Sequence, residues 1–214
     1  MAAPLNITPL IHVVDDDADF RDGLAWLLES RGLKVCAWTA GDAFLASLKK
    51  TPWPWACCVL LLDIRMEPLS GLATFEQLKA VHWPWPVLFL TGHGDVSMAV
   101  TAVKQGAWDF LEKPFQNNLL VDRVEAAQHA ATAMAEDGLK RQQFQRALAG
   151  LSLRESEVLE ELLRGHYNKN IADHLGITAR TVEFHRANIF EKLQVQSAVE
   201  LAHLVGLYAK PASE

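Results

Sequence analysis

Short apolar runs recur through the first part of the chain, separated by stretches in which apolar residues return every three or four positions. The runs Leu10-Ile11-His12-Val13-Val14, 33–38, Val59-Leu60-Leu61-Leu62-Asp63, Val87-Leu88-Phe89-Leu90-Thr91 and Asp109-Phe110-Leu111 read as buried strands. Between them the helical period predicts a helix N-capped by Asp17, with Phe20, Leu24, Leu27 and Leu28 on one face and Gly32 as its stop. Further helices are predicted over 40–48, 71–81 and 96–105, and one begins near Gln116. Regular alternation of this kind implies a parallel sheet covered by helices on both faces.

The pattern then changes. Over 126–147 the chain is rich in Ala, Gln, Arg and Glu, with a thin apolar stripe, and is expected to be an exposed helical linker that bends at Asp137-Gly138. From 148 to 214 only helical patterns remain. Ser152 with Glu155 forms a capping box ahead of Val158, Leu159, Leu162 and Leu163, and Gly165 closes that helix. A second helix over 169–175 stops at Gly176, and a third starts after Thr178 with Val182, His185, Ile189 and Leu193 on one face. A fourth, over 197–208, presents Val199, Leu201, Ala202, Leu204 and Val205. The expected division is 1–125, an α/β domain; 126–147, a linker; and 148–214, an all-α domain.

Composition narrows the class. The 214 residues are half hydrophobic and 21% charged, ordinary for a globular chain, and no apolar run approaches the roughly 20 residues a bilayer span requires. The first residues lack the basic start and apolar core of a secretory signal, so a cytoplasmic location without membrane attachment is expected. Cys36, Cys57 and Cys58 are too few and too poorly spaced for a disulfide framework or a zinc site. The net charge of −6 argues against a generally basic, nucleic-acid-coating surface.

Chemistry collects at the strand ends: Asp15 and Asp16 after the first strand, Asp63 after the third, Thr91 after the fourth and Lys113 after the fifth. The carboxyl edge of a parallel sheet is where ligands bind. Carboxylates on neighbouring strand ends repel one another and are tolerated with a bound cation, for which an all-oxygen donor set favours Mg²⁺. One carboxylate can then act as nucleophile toward a phosphoryl group, while Lys113 and the Thr91 hydroxyl serve its oxygens. Asp15 and Asp17 can also simply cap the helix that follows. A dehalogenase-type phosphatase with Asp63 as nucleophile needs a general acid two residues on, where this chain has Arg65.

Four motifs carry a family resemblance: Val13-Val14-Asp15-Asp16, Leu62-Asp63-Ile64-Arg65-Met66, Leu90-Thr91-Gly92-His93-Gly94-Asp95 and Glu112-Lys113-Pro114-Phe115. With them, the first part of the chain resembles a response-regulator receiver domain. The resemblance implies a five-stranded parallel sheet of order 2-1-3-4-5. It implies that Asp63 is phosphorylated by a sensor histidine kinase, and that Asp15, Asp16, Asp63 and the backbone carbonyl of Arg65 hold Mg²⁺. Thr91 and Phe110 are then the switch pair, and the Lys113-Pro114 bond is expected to be cis. Where related receivers usually carry proline, four residues after the acceptor, this chain has Glu67, with Pro68 next. The loop should therefore differ and gain a negative charge. Arg65 and His93 flank the acceptor and are either tuning residues for hydrolysis or plain loop residues.

Two aromatic features stay open at this level. Trp53-Pro54-Trp55 and Trp83-Pro84-Trp85 precede neighbouring strands and read either as an aromatic plug below the sheet or as a partner site. Trp108 shares a side with Phe110 and is either a dimer contact or a residue packed under its own helix.

In the last domain, Leu175-Gly176-Ile177-Thr178 is a tight turn of helix-turn-helix type. The helix after it would enter the major groove and offer Arg180, Thr181, Glu183, Phe184 and Ala187, with His185 and Arg186 to the sides, and Lys169 of the preceding helix and Lys192 complete the candidate DNA contacts. Leu151-Ser152-Leu153-Arg154-Glu155, Asn168-Lys169-Asn170-Ile171-Ala172 and Thr181-Val182-Glu183-Phe184-His185-Arg186-Ala187-Asn188-Ile189 make this part similar to the LuxR-type DNA-binding domain, a four-helix helix-turn-helix unit. The whole chain then resembles the NarL/FixJ family, in its FixJ-like branch. Residues 148–214 carry seven Lys and Arg against nine Asp and Glu, whereas 164–192 carry five against three, so positive charge is local to the helix pair. The implied function is a transcriptional response regulator, not an enzyme, that forms a homodimer on phosphorylation, binds double-stranded promoter DNA and contacts RNA polymerase. The rival is a regulator switched by a protein partner without phosphorylation.

Overall fold

The computed structural model describes residues 8–49, 57–92 and 96–209. Five strands, β1 (Leu10–Val14), β2 (Lys34–Trp38), β3 (Cys58–Asp63), β4 (Val87–Thr91) and β5 (Asp109–Glu112), form one parallel sheet of order β2-β1-β3-β4-β5. The connecting helices are α1 (Ala18–Ser30), α2 (Gly41–Leu48), α3 (Gly71–Ala80) and α4 (Val96–Lys104), followed by α5 (Asn117–Ala149). Both the fold and the strand order follow the sequence expectation.

Side-chain alternation explains the two cores. Val59 and Leu61 of β3 join Ile11, Val13, Leu88 and Leu90 under α1 and α5, whereas Leu60 and Leu62 face Val14, Phe44, Phe75, Phe89 and the α4 alanines Ala99 and Ala102. Leu60, Leu61 and Leu62 have no exposed surface, and each such burial stabilises by about 1.5–3 kcal/mol. The local ends are also chemical. Asp17 accepts from the Phe20 amide at the start of α1, and Ser70 from the Ala73 amide at the start of α3.

His12 is a polar residue inside this sheet. It packs between Trp38 and Phe44, and its Nδ1 accepts from Trp38 Nε1 at 3.0 Å, a bond that protonation would break. Burial pulls its pKa down to about 4. Between about pH 6.5 and 4 the unfolded chain therefore binds a proton that the folded one does not, and stability is lost as pH falls through that window. The loss should reach on the order of 3 kcal/mol. Urea unfolding at stepped pH is expected to show it in the wild type and to show a smaller slope above pH 5 in His12→Leu.

The second Trp-Pro-Trp motif is packed inward: Trp85 is buried and Trp83 meets the Phe44 ring edge-on at 5.8 Å. This supports the plug reading for that motif, while Trp53-Pro54-Trp55 lies outside the described residues. Trp108 is 43% exposed, so it does not pack away under its own helix.

Two compact units divide the chain, Met1–Glu136 and Asp137–Glu214. Within the second, α6 (Leu153–Leu163), α7 (Asn168–Leu175), α8 (Ala179–Leu193) and α9 (Ala198–Tyr208) close on Val158, Leu159, Ile171, Val182, Ile189, Leu193 and Leu201. Asp137 and Gly138, where a bend is expected, are both helical residues of α5. The stretch expected as an exposed linker is not free of packing. Ala127, Ala131 and Ala135, four apart, are buried in the first unit, and Phe144 is buried in the second. Among the described residues no helix is long and apolar enough to cross a membrane.

Candidate functional site

The carboxyl ends of β1, β3 and β5 bring Asp15, Asp63 and Lys113 together. Lys113 Nζ donates to Asp15 Oδ2 at 2.8 Å and to Asp63 Oδ1 at 2.7 Å. Both carboxylates are buried, with Asp15 at 1% and Asp63 at 6% exposure, so the ammonium is shared in a setting that water screens poorly. Phe20 of α1 lies beneath the same ammonium, its ring centroid 3.8 Å from Nζ, and Phe115 meets that ring edge-on. This support is not legible from the chain alone, where Phe20 reads as one more apolar position of α1. The Lys113-Pro114 bond is cis, as expected, and so is Glu67-Pro68.

The neighbours orient the carboxylates. The Asp17 amide donates to Asp15 Oδ1 at 3.0 Å, so Asp15 points back into the site while Asp17 does the capping; Arg21 fixes the Asp15 carbonyl at 3.0 Å. Asp16 is exposed and accepts from the Glu67 amide at 3.3 Å, which is how the altered loop meets the site. Arg65 reaches Asp63 through its backbone N–H, and its side chain is exposed. Burial pushes the Asp63 pKa up and the Asp15 charge adds to this, against the Lys113 hydrogen bond and charge and the Arg65 amide. For Lys113, burial works downward, but its bonds to Asp15 and Asp63 outweigh it and raise the pKa.

Thr91 is fully buried at the end of β4, and its hydroxyl donates to the Gly92 carbonyl at 3.2 Å. Phe110, level with Phe89 across the β4-β5 pairing, is half-buried against the α4 side of the core. His93 lies outside the described residues. Gly71, the first residue of α3, touches the site from behind: a Cβ there would sit 2.0 Å from the Asp63 backbone oxygen.

These oxygens fit a hard divalent cation. Two buried carboxylates share one ammonium, the ionised form of Asp63 is disfavoured by burial and by the Asp15 charge, a cost that a bound cation would offset, and exposed Asp16 follows Asp15 in the chain as a further oxygen donor.

In the second unit α7 and α8 are joined by the expected tight turn. The Thr178 hydroxyl caps α8 by accepting from the Thr181 amide, and Gly176 makes the turn in the left-handed region at φ 64°. Val182, Ile189 and Leu193 point inward; Arg180, Glu183, Phe184 and Ala187 point to solvent, Phe184 at 62% exposure. Lys169 is exposed on α7, while Thr181 and His185 are half-buried.

Two expected DNA contacts are otherwise engaged. Arg186 donates to Asn168 of α7 and lies over the Phe190 ring, so its guanidinium is partly occupied within the fold. Lys192 does not face outward as a free cation: its Nζ donates to buried Glu155 Oε2 at 2.6 Å. Glu155 also accepts from the Ser152 amide in the capping box, and Lys192 first, then that amide, hold its carboxyl down at about 2. A buried acid on α6 requires a cation, and Lys192 supplies it while its side chain stays 44% exposed.

Residues 11–125 match the response regulator receiver domain, and residues 149–205 match the luxR family of bacterial regulatory proteins. Over 194 residues, 91% of this chain and 93% of the relative, the sequence is 42% identical to the transcriptional regulatory protein FixJ of Bradyrhizobium diazoefficiens. It is 41% identical, over 91% of this chain and 98% of the relative, to the C4-dicarboxylate transport transcriptional regulatory protein DctR of Rhodobacter capsulatus. Among solved structures the response regulator StyR aligns with a TM-score of 0.81 at 39% identity, covering 94% of this chain and all of that one.

Proposed function

Since the chain belongs to the FixJ-like two-component transcriptional response regulators, with a receiver domain ahead of a LuxR-type DNA-binding domain, we propose that Asp63 is its phosphoacceptor and that phosphorylation promotes dimerisation on promoter DNA. The observation that carries this reading is the Lys113 ammonium bridging Asp15 and Asp63 at 2.8 and 2.7 Å. Receivers of this family use a sensor kinase as donor and Mg²⁺ as cofactor. Here Asp15, Asp16, Asp63 and the backbone carbonyl of Arg65 would hold the ion, which supplies charge neutralisation for the phosphoryl oxygens.

The transfer is a displacement at phosphorus. A carboxylate oxygen of Asp63 forms the new P–O bond as the P–N bond to the donor imidazole breaks, and the imidazole keeps the electron pair. Lys113, held by Asp15 and backed by Phe20, stays with the oxygens that gain charge. The Thr91 hydroxyl turns from the Gly92 carbonyl to a phosphoryl oxygen, and the half-buried Phe110 fills the space it leaves. The α4-β5 surface carrying exposed Trp108 is then the dimer contact. Glu67, exposed beside Asp16, places its charge on the kinase side of the site.

On DNA, Arg180, Glu183, Phe184 and Ala187 read the major groove, with Lys169, Thr181, His185 and Arg186 at its margins. Val199, 82% exposed on α9, gives the second unit an apolar pairing contact. The protein works in the cytoplasm with RNA polymerase as its further partner.

Mobility shift on a candidate promoter, with and without acetyl phosphate and Mg²⁺, tests this: phosphorylation should tighten binding in the wild type. Affinity should fall with salt, and Arg180→Ala should weaken binding and lower the salt slope by about 1 if it contacts phosphate. Lys192→Ala should instead cost about 2 kcal/mol of folding stability with the salt slope retained. Salt-independent binding would end the phosphate-contact reading.

A further inference from the structure

We propose that Glu161, His166 and His174 form a binding site for a divalent transition-metal ion of zinc's class, within the second unit and apart from the receiver's carboxylates. Three segments supply the ligands: Glu161 near the end of α6, His166 in the turn that follows, and His174 on α7. Both imidazoles aim Nδ1 at the same oxygen, Glu161 Oε2, each at 2.7 Å, and the three ligand atoms lie within 4.8 Å of one another. The rings meet edge-on with centroids 5.0 Å apart, so neither blocks the other's approach to a common centre.

The donor set selects the ion. Two imidazole nitrogens and one carboxylate oxygen suit zinc, copper, iron or nickel, whereas Mg²⁺ prefers oxygen alone. Around a tetrahedral Zn²⁺, ligand atoms stand roughly 3.4 Å apart. The present contacts are shorter, so the ion would enter by small rotations of the rings, whose side chains are 35% and 51% exposed and free to adjust. Glu161, at 8%, is the fixed member. Its oxygens lie against His174, His166 and Arg164, partners that favour the carboxylate form.

Arg164 occupies the other carboxylate oxygen, Oε1, and leaves Oε2 to the metal. It opposes a cation electrostatically, yet it is 61% exposed and also lies 3.7 Å from Glu160, so its charge is screened and shared. Its bond to Oε1 orients the ligand as outer partners of metal sites do. On binding, each imidazole presents the Nδ1 lone pair with its proton on Nε2, and any second proton passes to solvent, so acid competes with the metal. The exposed side leaves a fourth position for water or another ligand. An ion here would clamp the α6-α7 corner directly before Asn168, which receives Arg186 from the recognition helix.

Calorimetric titration of the full chain with ZnCl₂, in excess Mg²⁺, tests the site, with Co²⁺ absorption as a report on coordination. The wild type should take up one equivalent with visible bands of tetrahedral nitrogen and oxygen ligation. His166→Ala and His174→Ala should each remove that event or weaken it by more than the roughly 10–100-fold typical of outer-shell losses. Both positions are partly exposed, and circular dichroism will show that helix content is kept; should one variant unfold, the other decides. No saturable uptake by the wild type, or uptake unchanged in the folded variants, overturns the proposal.

Discussion

Asp63→Asn is expected to reduce labelling by acetyl phosphate and Mg²⁺ to background, a loss of at least about 10³-fold in rate, because it removes the carboxylate proposed to form the bond to phosphorus. The asparagine keeps the shape and can still meet Lys113, so circular dichroism and unfolding should change little. Lys113→Ala leaves the nucleophile and strips the ammonium now 2.7 Å from it, so labelling should slow on the order of 10²-fold without vanishing. Phosphate-affinity electrophoresis and the mass of the Asp63 peptide give both readouts. Labelling of Asp63→Asn equal to wild type would move the acceptor elsewhere, and an unlabelled wild type would favour the regulator switched by a partner alone.

The second large effect concerns folding. Gly71→Ala should destabilise the first unit by about 3 kcal/mol, because the new methyl would meet the Asp63 backbone oxygen at 2.0 Å and its carbonyl carbon at 2.9 Å. Both obstacles are main chain, so no rotamer relieves them, and the Gly71 amide is tied to the Ile64 carbonyl at 3.0 Å. Whatever fraction folds must carry a displaced β3 end, so phosphorylation should slow as well. Gly23→Ala, on an exposed turn of α1 with nothing within 4 Å, is the control and should be neutral or stabilising by up to about 1 kcal/mol. Urea midpoints measure the pair; equal midpoints would refute the close-approach argument.

Much of this was legible in the sequence because each strand is an apolar run ending in a polar residue. Leu60, Leu61 and Leu62 could lie only in a sheet buried on both faces, and Asp63 then had to emerge at its carboxyl edge. The caps at Asp17, Ser152 and Thr178 are local chemistry and are read directly from neighbours. What stayed hidden depends on contacts distant in the chain. The alanine stripe of α5 looked too thin to pack, but small side chains let a helix come close, and Ala127, Ala131 and Ala135 are buried without bulk. Lys192 reads as a basic end of the recognition helix until Glu155, 37 residues earlier, is found beneath it. Phe20 under Lys113 and the convergence of His166 and His174 on Glu161 have the same origin.

The Glu155 contact has a mechanical consequence. One carboxylate both closes the first turn of α6 and holds the last turn of α8, so fraying at either place releases the other. The proposed recognition helix is thus anchored at its far end to the opening of its own domain, a contact that restrains its tilt. A reading head set in advance spends little of its binding free energy on ordering itself, leaving more of it to discriminate one base sequence from another.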